Sequence, residues 1–363
     1  MSNEIEVKTE RLIKVLQENS LQGVLINAQH NFAWLTGGGS NGIDLSRENG
    51  AANLLVTAAG KRYLLANNIE MPRMLDEEIS AVEFEPIEFT WQDEKADSNL
   101  VLEKARSACG GKVATDYAIE SKIAPCRYAL TEDELGRLRS LGSDAASAFQ
   151  RAIGKLVVGQ TEIEISGEMR RELAVGNMAS VVTLVAADER IAGYRHPVPT
   201  ENRWNKTLLL VTCAKRGGLI VSLSRIVCVG EPSDELKRKT ESAAYVNARL
   251  MDATRPGATG SELYTTAVNA YSEQGFAGEI DCHHQGGAAG YKTREWVAHP
   301  QSGEVVRADQ AFAWNPSITG TKVEDTCIVT ENGVEIITAS PEFPQISTTI
   351  GGREYLSHGI MTI

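Results

Sequence analysis

The sequence predicts two domains, an α/β domain over residues 1–128 and an α+β domain over residues 129–363. The chain of 363 residues is longer than one typical domain. Its first third alternates helix-like and strand-like segments, which is typical of an α/β architecture. The remainder repeats a pair of helices followed by a strand hairpin, which indicates an internal duplication around one antiparallel sheet.

The N-terminal elements are predicted from apolar spacing and turn residues. Helical or strand periodicity is found in the following segments: helix 5–18, strand 23–28, strands 52–57 and 61–67, helix 68–78, and a possible sheet-closing strand 113–119. Ala58-Ala59-Gly60 predicts a hairpin between the paired strands. Residues 120–131 contain Pro125 and lack clear periodicity, so we place the domain boundary there.

The C-terminal elements follow the same rules. The sequence predicts helices 131–156, 162–176, 233–253 and 260–275 and strands 206–214, 219–230, 311–316, 323–330 and 333–338. Thr161 and Glu164 form a capping-box pattern at the start of the second helix. Lys215 to Gly218 predicts a hairpin connection between the first two strands.

Composition narrows the class of protein. The formal net charge of −12 disfavours nucleic-acid binding, which depends on neutralising phosphates. No apolar run approaches the roughly 20 residues of a membrane helix, and the charged N-terminus lacks the apolar core of a secretion signal. The cysteines are scattered without a CxxC pair. We therefore expect a cytoplasmic protein without membrane or nucleic-acid partners, either a small-molecule enzyme or a protein-binding module.

Five motifs occur in a characteristic order: GVLINAQHNFAWLTG from residue 23, LVVGQTEIEI from 156, RHPVPTE from 195, ATRPGATGSEL from 253 and VEDTCIVTENGVEIIT from 323. In this order the chain resembles the creatinase, aminopeptidase P and prolidase family. The resemblance implies a creatinase-type N-terminal domain followed by a pita-bread domain. It also implies a homodimer.

The peptidases of this family use five metal ligands, Asp, Asp, His, Glu and Glu, to bind two divalent ions. The resemblance places these ligands at Val211 or a neighbour, Ser222, Ala288 (or, in an alternative register, His283 or His284), Asn315 and Glu324. Residues 206–230 contain no Asp or Glu at all, and one carboxylate is too little charge for two divalent ions. We therefore predict no resident metal and no other cofactor. A single-ion site of Cys213, His284 and Glu324 stays conceivable, although zinc ligands are usually closer in sequence.

The resemblance to creatinase implies chemistry without a metal, in which a histidine of the H-x-x-P loop transfers a proton. His196 occupies that loop, and an imidazole of near-neutral pKa can accept and return a proton. Glu324 shares a strand face with Thr326 and Ile328, so it can orient His196 or bind a substrate cation. Simpler roles stay open, namely a hydrogen bond in an ordered loop for His196 and an ion pair for Glu324.

Further residues are candidates for binding substrate. Arg294 can clamp a carboxylate, and the neutral side chains predicted at the former metal positions suit an anionic or neutral ligand. Gly286 to Gly290 lacks a nucleotide-binding pattern and predicts a close approach of strands. The predicted substrate-binding residues within the C-terminal domain are His284 (or its neighbour His283), Tyr291, Arg294, Asn315 and Ser222.

The loop 37–49 supplies one more candidate. In creatinase-like dimers this loop reaches into the partner's site, so the resemblance implies that Arg47, together with Asp44, contacts substrate across the interface. A glycine-rich hairpin tip without a role is the alternative.

The sequence thus predicts a metal-independent, creatinase-like hydrolase that cleaves a C–N bond in a small or dipeptide-like substrate, with His196 as acid and base. Two alternatives stay open. The first is a pita-bread binding protein that has lost catalysis, as in the histone- or RNA-associated members of this fold. The second is a degenerate Xaa-Pro aminopeptidase or dipeptidase.

Overall fold

The computed structural model describes residues 3–44 and 46–363. The chain divides into two compact units, Met1–Arg127 and Tyr128–Ile363, next to the boundary predicted between residues 128 and 129. Within the described residues, we find no helix with the length and apolar character needed to cross a bilayer.

The first unit is built around one mixed sheet. Its helices are α1 (Asn3–Glu18), α2 (Gln29–Thr36), α3 (Met71–Arg73, continued by a π-helical turn Met74–Glu78), α4 (Trp91–Ala96), α5 (Leu100–Cys109) and α6 (Glu120–Tyr128), and its strands are β1 (Gly23–Ala28), β2 (Asn49–Thr57), β3 (Arg62–Asn67), β4 (Glu85–Phe89) and β5 (Val113–Thr115). The strand order is β4-β3-β2-β1-β5. The predicted hairpin is the antiparallel pair β2 and β3. The segment predicted to close the sheet is β5, which pairs in parallel with β1.

The second unit contains the helices α7 (Glu132–Ile153), α8 (Glu162–Val175), α9 (Arg190–Gly193), α10 (Asp234–Ala253) and α11 (Gly260–Glu273). Its strands are β6 (Ala179–Ala187), β7 (Thr207–Arg216), β8 (Leu219–Cys228), β9 (Gly286–Ala289), β10 (Trp296–Val297), β11 (Ala311–Trp314), β12 (Ser317–Ile318), β13 (Thr321–Lys322), β14 (Asp325–Thr330), β15 (Gly333–Ile336), β16 (Gln345–Ile350), β17 (Arg353–His358) and β18 (Ile360–Thr362). The four long helices lie where the apolar spacing predicted them. The predicted capping box of Thr161 and Glu164 is confirmed at the start of α8.

The expectation of one antiparallel sheet is wrong. The strands form a sheet β18-β8-β7-β6 and a second sheet β10-β9-β11-β14-β15, together with two small hairpins. An antiparallel bridge between Ser224 and Glu324 joins β8 to the start of β14, with Ser224 N donating to Glu324 O at 3.1 Å. The two sheets therefore meet at Glu324, the carboxylate that the sequence singled out.

The turn between β7 and β8 fixes the register of this region. It consists of Gly217 and Gly218 alone, with φ of 55° and 79°, as expected for a two-residue hairpin turn that needs positive φ at both positions. The predicted connection from Lys215 to Gly218 is therefore too long. The short turn places Cys213 directly across from Ser222 and moves Val211 opposite Ser224.

Candidate active site

His196 lies on the loop between α9 and β7, and a buried carboxylate holds this loop in place. Glu162, at the start of α8, is fully buried. One oxygen of Glu162 accepts from N and Oγ1 of Thr200, both at 2.9 Å, and the other accepts from Ala187 N at 2.9 Å. Arg190 pairs with the same carboxylate. The H-P-V-P-T segment is thereby fixed at its C-terminal end.

His283 and His284 follow a 3₁₀ helix (Ala277–Cys282) and precede β9. This segment is tied to the His196 loop by Arg195, which pairs with Glu279 of the 3₁₀ helix and donates to Thr319 Oγ1 at 2.9 Å. On the other side Gln285 donates to the carbonyl of His283. The ion pair between Arg195 and Glu279 brings the two histidine segments together, and the hydrogen bond from Gln285 fixes the backbone of His283.

The three imidazoles form a close group. His196 Nε2 and His283 Nε2 are 3.1 Å apart, so one of the two nitrogens donates and the other accepts. The rings of His283 and His284 stack with centroids 4.5 Å apart, and those of His196 and His284 are 6.0 Å apart. The sequence analysis chose His196 and His284 and left His283 as an alternative for the same position. The structure instead brings all three together.

Partial loss of solvation, together with nearby cations, keeps these histidines neutral, although His196 and His284 keep an exposed surface. Loss of solvation lowers the pKa of His283 to about 2 and that of His284 to about 4; the charge of Lys322 acts in the same direction on both, and that of Arg294 on His284. Burial and the charge of Lys322 also hold the pKa of His196 below its usual range. The near-neutral pKa expected for His196 is therefore corrected downward. At pH 7 the imidazole is present as the base.

Glu324 is buried, with 2% of its surface exposed, and it is held by two cations. Lys322 Nζ lies 3.0 Å from one carboxylate oxygen and Arg294 Nη2 lies 3.1 Å from the other. Ser224 Oγ donates to the Lys322-facing oxygen at 2.5 Å. The open alternative, an ion pair at Glu324, is thus what the structure shows. We call Glu324, Lys322 and Arg294 the charged triad.

The triad has a definite electrostatic character. Burial favours the neutral carboxyl, but the charges of Lys322 and Arg294 outweigh it and lower the pKa of Glu324 to about 2. With two cationic side chains around one carboxylate, the triad carries an excess positive charge. It shifts the pKa values of all three histidines, so the histidines and the triad belong to one electrostatic site.

The wall next to the triad is formed by β7 and β8. Ser222 Oγ lies 3.2 Å from Cys213 Sγ and accepts from Arg294 Nη1 at 3.3 Å. Cys213 is buried, and burial raises the pKa of its thiol. The residue facing Ser222 is therefore a neutral cysteine. Val211, the position that the resemblance assigned, lies across from Ser224, and Cys213 lies across from Ser222.

The remaining predicted residues have different surroundings. Asn315 is buried beside Gly286, and its Oδ1 has no hydrogen-bond partner among the described residues. Tyr291 is buried and donates its hydroxyl to Glu134 of α7 at 2.7 Å. Arg47 belongs to the first unit, is 72% exposed and pairs with Asp44. Substrate binding by these three residues stays a prediction.

The glycine-rich segment allows strands to approach closely, as predicted. A Cβ on Gly287 would lie 2.1 Å from the carbonyl oxygen of Trp296 in β10. A Cβ on Gly286 would lie 2.1 Å from that of Ala313 in β11, and Gly286 has a φ of +106°. Only glycine fits these positions, so the segment sets the spacing of the sheet that follows His284.

A buried network on the opposite face of β14 orients Glu324. Asp325 accepts from Arg225 at 3.1 Å, from Thr338 Oγ1 at 2.8 Å and lies 2.8 Å from His358 Nδ1. Burial raises the pKa of Asp325, but the charges of Arg225 and His358 and the hydrogen bonds from His358 and Thr338 together outweigh it and lower the pKa. Because successive residues of a strand point to opposite faces, fixing Asp325 fixes the direction of Glu324.

Comparison with known proteins identifies the family. The sequence model described as "Metallopeptidase family M24" matches residues 137–331, and the one described as "Creatinase/Prolidase N-terminal domain" matches residues 8–137. The chain belongs to metallopeptidase family M24. The predicted resemblance and the predicted fold class, a creatinase-type domain followed by a pita-bread domain, are thereby confirmed.

Two of the related M24 sequences are Xaa-Pro dipeptidases. The protein from Pyrococcus furiosus is 22% identical over 359 residues, which is 91% of this chain and 97% of its own length. The protein from Lactobacillus delbrueckii subsp. lactis is 29% identical over 227 residues, which is 60% of this chain and 61% of its own length.

The solved structures show how widely this fold is shared. The Xaa-Pro dipeptidase from Bacillus anthracis superposes with a TM-score of 0.76 at 19% identity, covering 99% of this chain and all of that one. The N-terminal domain of FACT complex subunit SPT16 from chickpea superposes with a TM-score of 0.68 at 10% identity, covering 93% of this chain and 97% of that one. At these identities the likeness shows the fold alone.

The family description implies a metal, and the residues at the implied position do not fit one. The residues at or facing that position are Cys213, Ser222, Ala288, Asn315 and Glu324, of which Glu324 alone is a carboxylate. Both oxygens of Glu324 are engaged by cationic side chains. Two divalent ions need several anionic oxygens, so these residues do not form a site for a pair of metal ions.

Sequence reasoning missed two residues of this site. Lys322 lies two positions before Glu324, and strand alternation places residues two apart on one face, so the signal was present. Glu162 was seen only as one letter of a motif. A charged residue next to a predicted helix cap is expected at the surface, so its full burial could not be foreseen. Lys322 could thus be found from the sequence, whereas the contacts of Glu162 with Thr200 and Ala187 exist only in the folded chain.

Proposed function

We propose that this M24 chain hydrolyses a C–N bond in a small, dipeptide-like substrate without a metal pair, with His196 as the proton carrier. The observation that supports this proposal is the position of a neutral His196 imidazole beside His283 and the charged triad. The names of the related Xaa-Pro dipeptidases support a C–N bond as the target.

The proposed chemistry needs water as its only co-reactant. When His196 Nε2 donates to His283 Nε2, the unprotonated Nδ1 of neutral His196 accepts a proton from water, and the hydroxide formed attacks the carbon of the C–N bond. As that bond breaks, His196 returns the same proton to the leaving nitrogen. His283 supports the exchange because its Nε2 lies within hydrogen-bond distance of the His196 nitrogen.

The charged triad is the proposed anion-binding part of the site. Arg294 already donates to Glu324, Ser222 and the carbonyl of Thr293, while its buried Nε has no hydrogen-bond partner among the described residues. We infer that this N–H binds a substrate carboxylate or the oxyanion that develops during attack. The predicted bidentate contact of Arg294 with a carboxylate is thereby reduced to a single donor, because Nη1 and Nη2 already donate to protein atoms.

The experiment that tests the proposal compares two histidine variants on the purified chain. Xaa-Pro dipeptides, creatine-like compounds and ureido compounds form the substrate panel. For a substrate that is turned over, His196→Ala lowers kcat by at least about 100-fold, as expected for loss of a general acid and base. His299→Ala, on an exposed loop after β10, is the matched control. Equal activity of the two variants would remove His196 from the chemistry.

A second candidate, a binding protein without catalysis, is favoured by one observation. The triad engages the carboxylate of Glu324 completely and leaves a positive site for an anionic ligand. A ligand of the native state raises thermal stability by mass action. A compound from the panel that raises the melting temperature of the wild-type chain but is never hydrolysed would support this candidate.

We also propose that the chain is a cytoplasmic homodimer in which Arg47 contacts the partner's substrate. The support is the family resemblance, together with the exposure of Arg47. Light scattering on the purified chain measures the oligomeric state. If the proposal is right, Arg47→Ala raises KM while the dimer persists.

A further inference from the structure

The three histidines present a cluster of imidazole nitrogens, which are metal ligands that the family's metal position in this chain lacks. Among the described residues, His196, His283 and His284 each present a ring nitrogen, and these nitrogens all lie within 4.8 Å of one another. None of the three is one of the residues at or facing the family's metal position, Cys213, Ser222, Ala288, Asn315 and Glu324. We call these three side chains the histidine group.

The spacing of the histidine group is close to that of a metal site. Tetrahedral zinc with Zn–N bonds of about 2.0–2.1 Å places neighbouring ligand nitrogens about 3.3 Å apart. His196 Nε2 and His283 Nε2 are already 3.1 Å apart. The largest separation within the group, up to 4.8 Å, exceeds that spacing by about 1.5 Å, so the His284 ring nitrogen has to move closer to the other two when an ion binds.

The backbone around the group is held in place before any ion arrives. Arg195 and Glu279 tie the two segments together, and Thr200 is fixed on Glu162. The buried Nδ1 of His283 has no hydrogen-bond partner among the described residues. His196 and His284 are exposed, so an ion can enter from solvent and retain a free coordination position.

The ligand chemistry restricts the ion. Imidazole nitrogens without a carboxylate suit zinc, copper or nickel rather than magnesium, calcium or manganese. Lys322 and Arg294 repel a cation, but each is paired directly with Glu324. These charges weaken binding without occupying the imidazole nitrogens, so an ion with strong affinity for imidazole is required.

We propose that His196, His283 and His284 bind one divalent transition-metal ion of the zinc class, with a fourth coordination position open to solvent. This inference goes beyond the proposed function and does not depend on it. A bound ion takes the nitrogen lone pair that His196 needs to accept a proton. Zinc therefore inhibits the proposed hydrolysis, and a chelator reverses the inhibition.

The test is a titration of the chelator-treated full-length protein with Zn²⁺ by calorimetry and with Co²⁺ by visible absorption. We expect one equivalent per chain and the visible bands of a low-symmetry cobalt site. His283→Ala and His284→Ala each weaken binding by about 100-fold or more, because one of three metal–nitrogen bonds is lost. His299→Ala, the matched control, leaves the binding constant unchanged, and circular dichroism verifies that each variant is folded.

Two results would overturn the inference. One is the absence of one-equivalent binding in the wild-type chain. The other is binding that survives in both His283→Ala and His284→Ala but is lost in Glu324→Gln, since the ion would then lie at the family's position. If zinc binds through the histidine group and raises turnover, the proposed metal site is supported. That result would contradict only the proposed role of His196 as a free base.

Discussion

Replacing Glu324 with glutamine removes the negative charge between Lys322 and Arg294 while preserving the shape of the side chain. A carboxyl whose pKa falls from 4.5 to about 2 contributes about 3 kcal/mol to the free energy of unfolding at pH 7. Removing one partner of a buried ion pair costs a similar amount, about 3–5 kcal/mol, because the other charge is left buried and unpaired. We therefore expect Glu324→Gln to lower the free energy of unfolding by about 3 kcal/mol.

Urea denaturation followed by far-ultraviolet circular dichroism measures this loss. With a slope of about 3 kcal/mol per molar urea, the midpoint of the transition falls by about 1 M. The matched control is Glu335→Gln, because Glu335 pairs with Arg139 at 2.9 Å but both side chains are about 40% exposed. Exposed pairs contribute about 1 kcal/mol or less. Equal midpoints for the two variants would refute the description of Glu324 as an anchored anion.

Three further predictions follow from the same contacts. Because the folded-state pKa of Glu324 is depressed, its contribution to stability is present above about pH 4.5 and is lost as the pH falls through about 2; the stability difference between wild type and Glu324→Gln should shrink over that interval, and a constant difference would contradict the assignment. Asp325→Asn should destabilise the chain by about 3–5 kcal/mol in urea denaturation, because Arg225 loses its buried partner; a loss below 1 kcal/mol would show that the network does not hold β14. Gly287→Ala should cost about 1–3 kcal/mol through the clash with the Trp296 carbonyl, whereas Gly278→Ala, which meets open space, should be neutral by the same assay.

The sequence predicted the parts of the fold that depend on local patterns. The long helices of the second unit are predicted by apolar spacing. The helix cap at Thr161 is predicted by the hydroxyl and carboxylate of the capping box, and the close approach of strands at Gly287 by the absence of a Cβ. The paired strands β2 and β3 were likewise visible as two apolar runs around a short turn.

The site was harder to predict because its contacts join distant parts of the chain. His196 and His283 are separated by 87 positions. They are brought together by an ion pair between Arg195, next to His196, and Glu279, four residues before His283. No local periodicity encodes that pair. The resemblance counted eleven residues back from Ser222 to Val211, whereas the two-residue turn Gly217-Gly218 places Cys213, nine residues before Ser222, directly across from it.

We propose that this chain combines the M24 fold with catalysis by a histidine and a charged triad in place of a metal pair. The decisive measurement is turnover of the best substrate after exhaustive treatment with a chelator. We expect kcat/KM to stay at or above its starting value, because the proton is carried by His196 and the anion is bound by Arg294. Loss of turnover on chelation, followed by recovery with two equivalents of a divalent ion per chain, would contradict it.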